Sequence, residues 1–287
     1  MRRALKSVLY SLKTPIIALI RKNRLFIKHR SSSVNVYHCC VQKTASQWIR
    51  AILSDPRTFN YSGLVTYNYQ SKLPGAYDPR KITYRHFKDP FPRDTIVTPL
   101  YIGFEDFMTI PKPDRYKAFF VMRDPRDIVV SWYFSTKYSH RLTDRVQESR
   151  TVLNRLSLTE GMCYAVNLLQ DRGLFPALRE WSKLATRDKN VLLVRFEDLT
   201  VNPKLFDKLF AHCDIRMPEN VRHQLLENYS FGKLSGRKRG YEEKHSHYRK
   251  GTVGDWKNYF NPSITAEFKN TTGDLIMSIG YENSSDW

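Results

Sequence analysis

Cysteine is scarce in this chain: Cys39, Cys40, Cys163 and Cys213 are the only four in 287 residues, and none makes a CxxC pair. That spacing excludes a zinc finger or ribbon and offers no disulfide framework. The adjacent Cys39-Cys40 lies in an apolar run and reads as two small hydrophobic side chains, which suits a reducing, cytoplasmic compartment. The eight histidines form no HExxH pattern, so no metal site is expected. Long apolar runs are also missing near the start. Within residues 1–30 the longest uncharged run is Thr14–Ile20, interrupted by Pro15 and far short of the ~20 residues of a spanning helix. More basic residues follow it without a small-residue cleavage site, unlike a secretory signal. Glycine is absent from Val34 to Trp48, where a strand–loop–helix pattern would ordinarily use it.

Acids are in short supply. The chain has 47 Lys+Arg against 28 Asp+Glu, a formal charge of +19, which implies an anionic partner: nucleic acid, a membrane surface or a small polyanion. Residues 1–30 carry nine basic residues and no acid, so much of the excess sits in an N-terminal arm, taken as residues 1–31. That arm reads as a solvated basic tail or as a helix lying on an anionic membrane surface in weak association.

The remainder, residues 32–287, reads as one domain. Val34–Val41, Lys117–Met122 and Val191–Arg195 are apolar, β-branched or aromatic runs of buried-strand type, and Thr95–Ile102 is a fourth candidate. Helices are expected from Trp48 to Leu53, from Pro125 onward with Asp124 as cap, over Gly161–Lys183 with a break near Gly173 and Pro176, from Lys204 to about His212, and from about Ser263 to Ile279. Residues 55–95, rich in Pro, Tyr and Arg, have no period and are expected to be irregular and to face a substrate. Strands alternating with helices predict an α/β fold with a central parallel sheet flanked by helices.

Three segments carry chemistry. Lys43-Thr44-Ala45-Ser46-Gln47-Trp48 follows a strand and opens a helix, where free N–H groups and the positive helix end meet an anion and Lys43 adds a charge. A nucleoside triphosphatase loop would read GxxxxGK[ST]; here the lysine comes first and the wrap is short, which fits one phosphate better than a polyphosphate. The same residues also make an ordinary polar helix start. In "RDPRDIVVSWYFS", Arg123 ends a strand and Ser131 lies about two helical turns on, so both can address one phosphate, although Arg123 is equally suited to pairing with Asp124 or Asp127. "RKG" at Arg249, Lys250 and Gly251 places two cations beside a backbone able to approach an anion closely.

In their order along the chain, KTASQW, RDPRDIVVSWYFS, FEDL and RKGTVGDWKNYF resemble the PAPS-dependent sulfotransferases, of the soluble cytosolic type and its bacterial relatives, from about Val34 to Phe260. The resemblance implies a P-loop-kinase-like fold and transfer of the sulfuryl group of 3′-phosphoadenosine 5′-phosphosulfate (PAPS) to a hydroxyl or amine, leaving adenosine 3′,5′-bisphosphate (PAP). It implies that Lys43 to Trp48 hold the 5′-phosphosulfate. Arg123, Ser131, Arg249, Lys250 and Gly251 would hold the 3′-phosphate, and Trp48 and Phe231 would sandwich the adenine. Phe196 sits where the family commonly has a nearby Tyr. Charge builds on the leaving phosphate in a loose transition state, so Lys43 stands where an electrostatic stabiliser is needed.

The acceptor's proton needs a base. The family's histidine segment has its nearest match in "YRHFKDPFP", making His86 the candidate. Counting back from Arg123 by the family spacing lands near Tyr101, which makes Glu105 or Asp106 the alternatives. Ala45 and Gln47 replace the loop's usual Gly and Thr, and "NYFNPSITAE" does not match the family's dimerisation pattern, which leaves the oligomeric state open. The aromatic region 59–104 suits a small-molecule acceptor. A nucleotide kinase is the alternative enzyme. A nucleic-acid binder is the alternative of another class, but no helix-turn-helix, RNP or zinc pattern supports one and no nucleic-acid partner is expected.

Overall fold

Five strands form one sheet in the order β2-β3-β1-β4-β5, every neighbouring pair parallel. They are β1 (Asn35–Cys40), β2 (Val65–Tyr67), β3 (Thr95–Tyr101), β4 (Tyr116–Met122) and β5 (Val191–Arg195). The computed structural model describes residues 26–287. Residues 1–25, most of the basic arm, lie outside them, as does the expectation of membrane association. Among the described residues no helix is long and apolar enough to cross a membrane.

A parallel sheet needs cover on both faces, which is why β1 reads as an unbroken buried run. Alternate residues feed two cores. Tyr37 and Cys39 join Val97, Phe120 and Trp181 on one face; Val36 joins Ile96, Phe119 and Val121 on the other. Besides the short helices Pro56–Asn60 and Leu275–Ser278, the described residues form α1 (Ser46–Leu53), α2 (Phe104–Thr109), α3 (Pro125–Phe134), α4 (Asp144–Arg155), α5 (Leu158–Asp171), α6 (Leu174–Leu184), α7 (Phe196–Val201), α8 (Leu205–His212), α9 (Glu219–Asn228), α10 (Phe231–Ser235) and α11 (Pro262–Thr272). Helices α3, α5, α6 and α11 cover the first face; α1 and α8 cover the second.

The expected strands are all present, within a residue or two at their ends. Residues 55–95 are less irregular than expected, since Val65–Tyr67 pairs with β3 as the sheet's edge. Its three residues are too few for a period to register. The break expected near Gly173 separates α5 from α6, with Gly173 at φ 78° and Pro176 tolerated in the first turn of α6. The helix expected from about Ser263 to Ile279 is broken at Gly273: α11 stops at Thr272, and Leu275–Ser278 is a separate short helix. Helix α9 has no counterpart in the sequence reading, because only Leu225 of it is buried.

From β1 the chain leaves toward β2 and β3; from β4 it leaves toward β5. The carboxyl ends of β1 and β4, neighbours in register from Asn35↔Tyr116 to Cys40↔Val121, therefore flank the point where the strand order reverses. Crevices for ligands open at such points.

Candidate functional site

The first wall is the loop after β1. Lys43 and Ala45 both take left-handed backbone conformations, φ 69° and 60°, although neither is glycine. The chain thus makes the tight turn that glycines usually allow, at a cost of ~1–2 kcal/mol per residue. Ala45 caps α1 without a side-chain hydrogen bond, leaving the helix's first N–H groups for another acceptor. Ile49, Ile52 and Leu53 anchor that helix in the core. Thr44 is buried and its Oγ1 donates to the Val41 carbonyl at 2.9 Å, so its hydroxyl holds the turn. Ser46 Oγ lies 2.8 Å from the Tyr101 hydroxyl at the end of β3.

The second wall follows β4. Asp124 caps α3 by accepting from Arg126 N at 2.9 Å, and Pro125 occupies the first helical position, as the sequence predicts. Arg123 does not pair closely with Asp124: its Nη1 donates to the Lys43 carbonyl at 2.7 Å, its guanidinium lies 4.5 Å over the Phe196 ring, and Asp127 is 4.0 Å away. Asp127 instead accepts from the backbone N–H groups of Gly254 at 2.8 Å and Trp256 at 2.9 Å, which pins the C-terminal basic loop against α3. In the FEDL segment, Glu197 accepts from Asp124 N and from the Tyr281 hydroxyl, both at 2.9 Å. The second aspartate of RDPRD and the glutamate of FEDL are therefore assembly residues, a role that spacing alone does not reveal.

The third wall is that loop. Lys250 Nζ contacts Asp255 at 2.5 Å, and Arg249 is held by Asp255 and by Glu242. The two cations are thus held in place by acids outside the cavity. Gly251, at φ 69°, is required: a Cβ there would come within 2.4 Å of the Phe231 ring.

These walls enclose a cavity of about 260 Å³. Of the residues that the sequence singles out, Lys43, Ala45, Ser46, Gln47, Trp48, Arg123, Ser131, Phe196, Phe231, Arg249, Lys250 and Gly251 all line it. Thr44 does not. The sequence reading missed Thr200, Tyr229, Arg239, His140 and His247, which also line it. Tyr229, whose carbonyl accepts from Trp48 Nε1 at 2.7 Å, sits two residues from Phe231 and is reachable by proximity; the two histidines lie in polar loops with no pattern to mark them.

His86, Glu105 and Asp106 are not among the cavity's lining residues. His86 is largely exposed, with Nδ1 3.1 Å from Asp106 Oδ1; Asp106 also accepts from Arg85 N at 2.9 Å, and Glu105 faces Arg187 at 3.8 Å. The histidine expected from a motif match in a Pro-rich loop is thus engaged in a local pair.

Among the described residues no carboxylate lines the cavity, and none lies within ion-pair distance of Lys43. Burial, with the Arg123 and Arg249 guanidiniums adding to it, pulls Lys43 down to about 7. Arg123 Nε and Thr252 Oγ1 are buried without a hydrogen-bond partner among the described residues. Buried polar atoms are ordinarily paired. A cavity with unpaired donors, crowded cations, no acid and aromatic walls from Trp48, Phe196 and Phe231 fits an anionic, ring-bearing ligand, and a nucleotide carrying separate phosphate groups meets those requirements.

Similarity to known proteins points the same way. Cytosolic sulfotransferase 1 of Arabidopsis thaliana is 32% identical over 166 residues, covering 52% of this chain and 46% of that protein. Cytosolic sulfotransferase 3 of the same plant is 28% identical over 192 residues, covering 61% of this chain and 56% of that protein. The chain thus spans about half the length of the curated relatives it matches. Mouse sulfotransferase SULT7A1, solved in complex with PAP, superposes with a TM-score of 0.57 at 17% identity, covering 86% of this chain and 85% of that one, which speaks for a shared fold. Since the profile of the sulfotransferase domain matches residues 39–280, most of its length, the chain belongs to the sulfotransferase domain family.

Proposed function

We propose that this protein transfers the sulfuryl group of PAPS to a hydroxyl or amine of a small-molecule acceptor. The observation that carries the proposal is one cavity, without a carboxylate among its described lining residues, with Lys43 at its β1 wall and Arg123, Arg249 and Lys250 at the other two. PAPS has anionic groups at both ends of an adenosine, so it calls for two cationic sites on two strand–helix units. Lys43 and the exposed N–H groups of α1 would hold the 5′ end, where charge grows as the sulfuryl group departs. Arg123, Ser131 and the backbone at Gly251 would hold the 3′-phosphate, and Trp48, Phe196 and Phe231 would take the adenine.

Solved neighbours support both halves of this reading. One is retinol dehydratase in complex with androsterone and inactive cofactor PAP, at a TM-score of 0.50 and 17% identity, covering 84% of this chain and 80% of that one. A cytoplasmic site of action belongs to the same reading, in keeping with relatives named cytosolic.

A thermal-shift titration with PAP tests the proposal. PAP is expected to raise the melting temperature of the wild type, and Lys43→Ala and Arg123→Ala to reduce that shift. An unshifted wild type, or stabilisation by ATP with magnesium and not by PAP, would sink it.

A further inference from the structure

We propose that His140 is the base that takes the acceptor's proton. This rests on the sulfotransferase reading above. The lining of the cavity narrows the field to a few groups. Among the described residues it contains no Asp or Glu, so a proton acceptor must come from Lys43, Lys250, Tyr101, Tyr229, Tyr248, His140 or His247. Lys250 is tied to Asp255 at 2.5 Å, the Tyr229 hydroxyl donates to Asp55 at 3.2 Å, and a neutral phenol such as that of Tyr248 accepts a proton poorly. Lys43 faces the anion and is held as a cation once that anion is bound. The Tyr101 hydroxyl is engaged with Ser46 Oγ at 2.8 Å and approached by Gln47 Nε2 at 3.4 Å, and burial pushes it up to about 12. Two histidines remain.

They differ in how they are held. His140 ends the π-helical turn Ser135–Ser139 that continues α3, a departure from α geometry often found at functional sites. Its N–H donates to the Ser135 carbonyl at 2.7 Å, and its own carbonyl accepts from Arg150 Nη2 at 2.8 Å. Arg150 Nε in turn donates to the Thr136 carbonyl at 2.7 Å, so α4 braces the turn. The ring is fixed as well. Its Nδ1 lies 3.1 Å from the Arg141 carbonyl, which can only accept, so the proton sits on Nδ1 and Nε2 keeps its lone pair. That is the tautomer a base requires. His247 lies on the C-terminal loop; its ring meets the Tyr248 ring edge-on at 5.3 Å, and among the described residues no hydrogen bond fixes its tautomer.

The charged and titratable groups around the His140 ring are Lys43 from the β1 loop, Arg150 from α4, Arg141 beside it and His247 opposite. Partial burial of the ring lowers His140 below its ordinary value; the hydrogen bond to the Arg141 carbonyl opposes this, and the Lys43 and Arg150 charges add to the lowering. The lowered value favours the neutral ring. In the proposed step the acceptor's O–H (or N–H) proton passes to His140 Nε2 as the acceptor atom bonds to sulfur. The S–O bond to the 5′-phosphate breaks and its electron pair stays on the phosphate. The imidazolium then gives its proton to solvent.

Two measurements test this on the full chain. The first is a long-range ¹H–¹⁵N spectrum of histidine-labelled protein with PAP bound, assigned by comparison with His140→Asn; it should place the His140 proton on Nδ1. The second is PAPS turnover at pH 7 with 2-naphthol as acceptor and with water alone. His140→Asn should lower kcat at least a hundredfold and leave the PAP-induced thermal shift unchanged, whereas His247→Asn should cost less than tenfold. The proposal is overturned if the proton sits on Nε2, if His140→Asn turns over within threefold of wild type, or if His247→Asn carries the larger loss. A wild type that neither binds PAP nor turns over PAPS would fail the sulfotransferase reading instead, and the spectrum would still decide the tautomer.

Discussion

Arg123 donates from Nη1 to the Lys43 carbonyl at 2.7 Å, so the cation after β4 holds the loop after β1. Its Nε, buried without a partner among the described residues, is left for a ligand, and its plane is fixed 4.5 Å over Phe196. One side chain thus couples two walls of the cavity, the two halves of the proposed anion site. A lysine here keeps the charge but cannot make both contacts or stack in the same way.

Arg123→Lys should accordingly weaken PAP by ten- to hundredfold, as expected for losing a charge-assisted hydrogen bond of about 1.5–3 kcal/mol. Isothermal calorimetry reads this directly. An affinity within threefold of wild type would mean that charge alone matters at this position.

Ala45 at φ 60° and ψ 25° is expected to tolerate glycine and reject branching. Ala45→Gly relieves left-handed strain but adds freedom to the unfolded chain, two opposing effects of similar size, so stability should stay within about 1 kcal/mol of wild type. Ala45→Val places a β-branched residue in that conformation and should cost more than 1 kcal/mol. Urea denaturation of both variants checks the pair, and equal losses would place the strain elsewhere.

The sheet was largely legible because its central strands are buried on both faces and so read as continuous apolar runs. The cation set was legible because each member lies at the end of a strand or within a short basic motif. What stayed hidden depends on contacts distant in sequence. Asp127 looked like a partner for Arg123 and does lie 4.0 Å from it, but its hydrogen bonds reach across 127 residues to Gly254 N. The missing glycines at 43–48 were read as a short wrap for one phosphate; that Lys43 and Ala45 take left-handed conformations without glycine was not visible from residue types. Motif matching drew attention to His86, whereas the cavity's histidines, His140 and His247, come from loops brought together only by folding.

His38, in the middle of β1, couples stability to pH. It is fully buried and stacked on Phe119, with Nδ1 2.8 Å from Thr98 Oγ1 and Nε2 without a hydrogen-bond partner among the described residues. Burial lowers it to about 3, against 6.5 in the unfolded chain. Between those values the unfolded state binds the extra proton, so stability is complete above pH 6.5 and falls as pH drops toward 3. From pH 7 to pH 5 the loss from this residue alone should be about 2 kcal/mol. His38→Asn should remove that part of the pH dependence while lowering stability at pH 7. An equal loss in both proteins, measured by urea denaturation at the two pH values, would assign the effect to other groups.

Lys43 makes a prediction about binding. In the ligand-free protein its ammonium is pulled down to about 7 by burial and by the Arg123 and Arg249 guanidiniums. At pH 8 the side chain is therefore mostly neutral. An anion bound beside it favours the charged form, so its pKa must rise on binding and the complex must take up a proton. Calorimetric titration of PAP at pH 8, in two buffers with different ionisation enthalpies, should show uptake approaching one proton per PAP. Lys43→Met cannot take up that proton, and its binding enthalpy should be the same in both buffers. If the wild type shows no more uptake than Lys43→Met, the anion binds away from Lys43 and the lysine has no part in steadying the leaving phosphate.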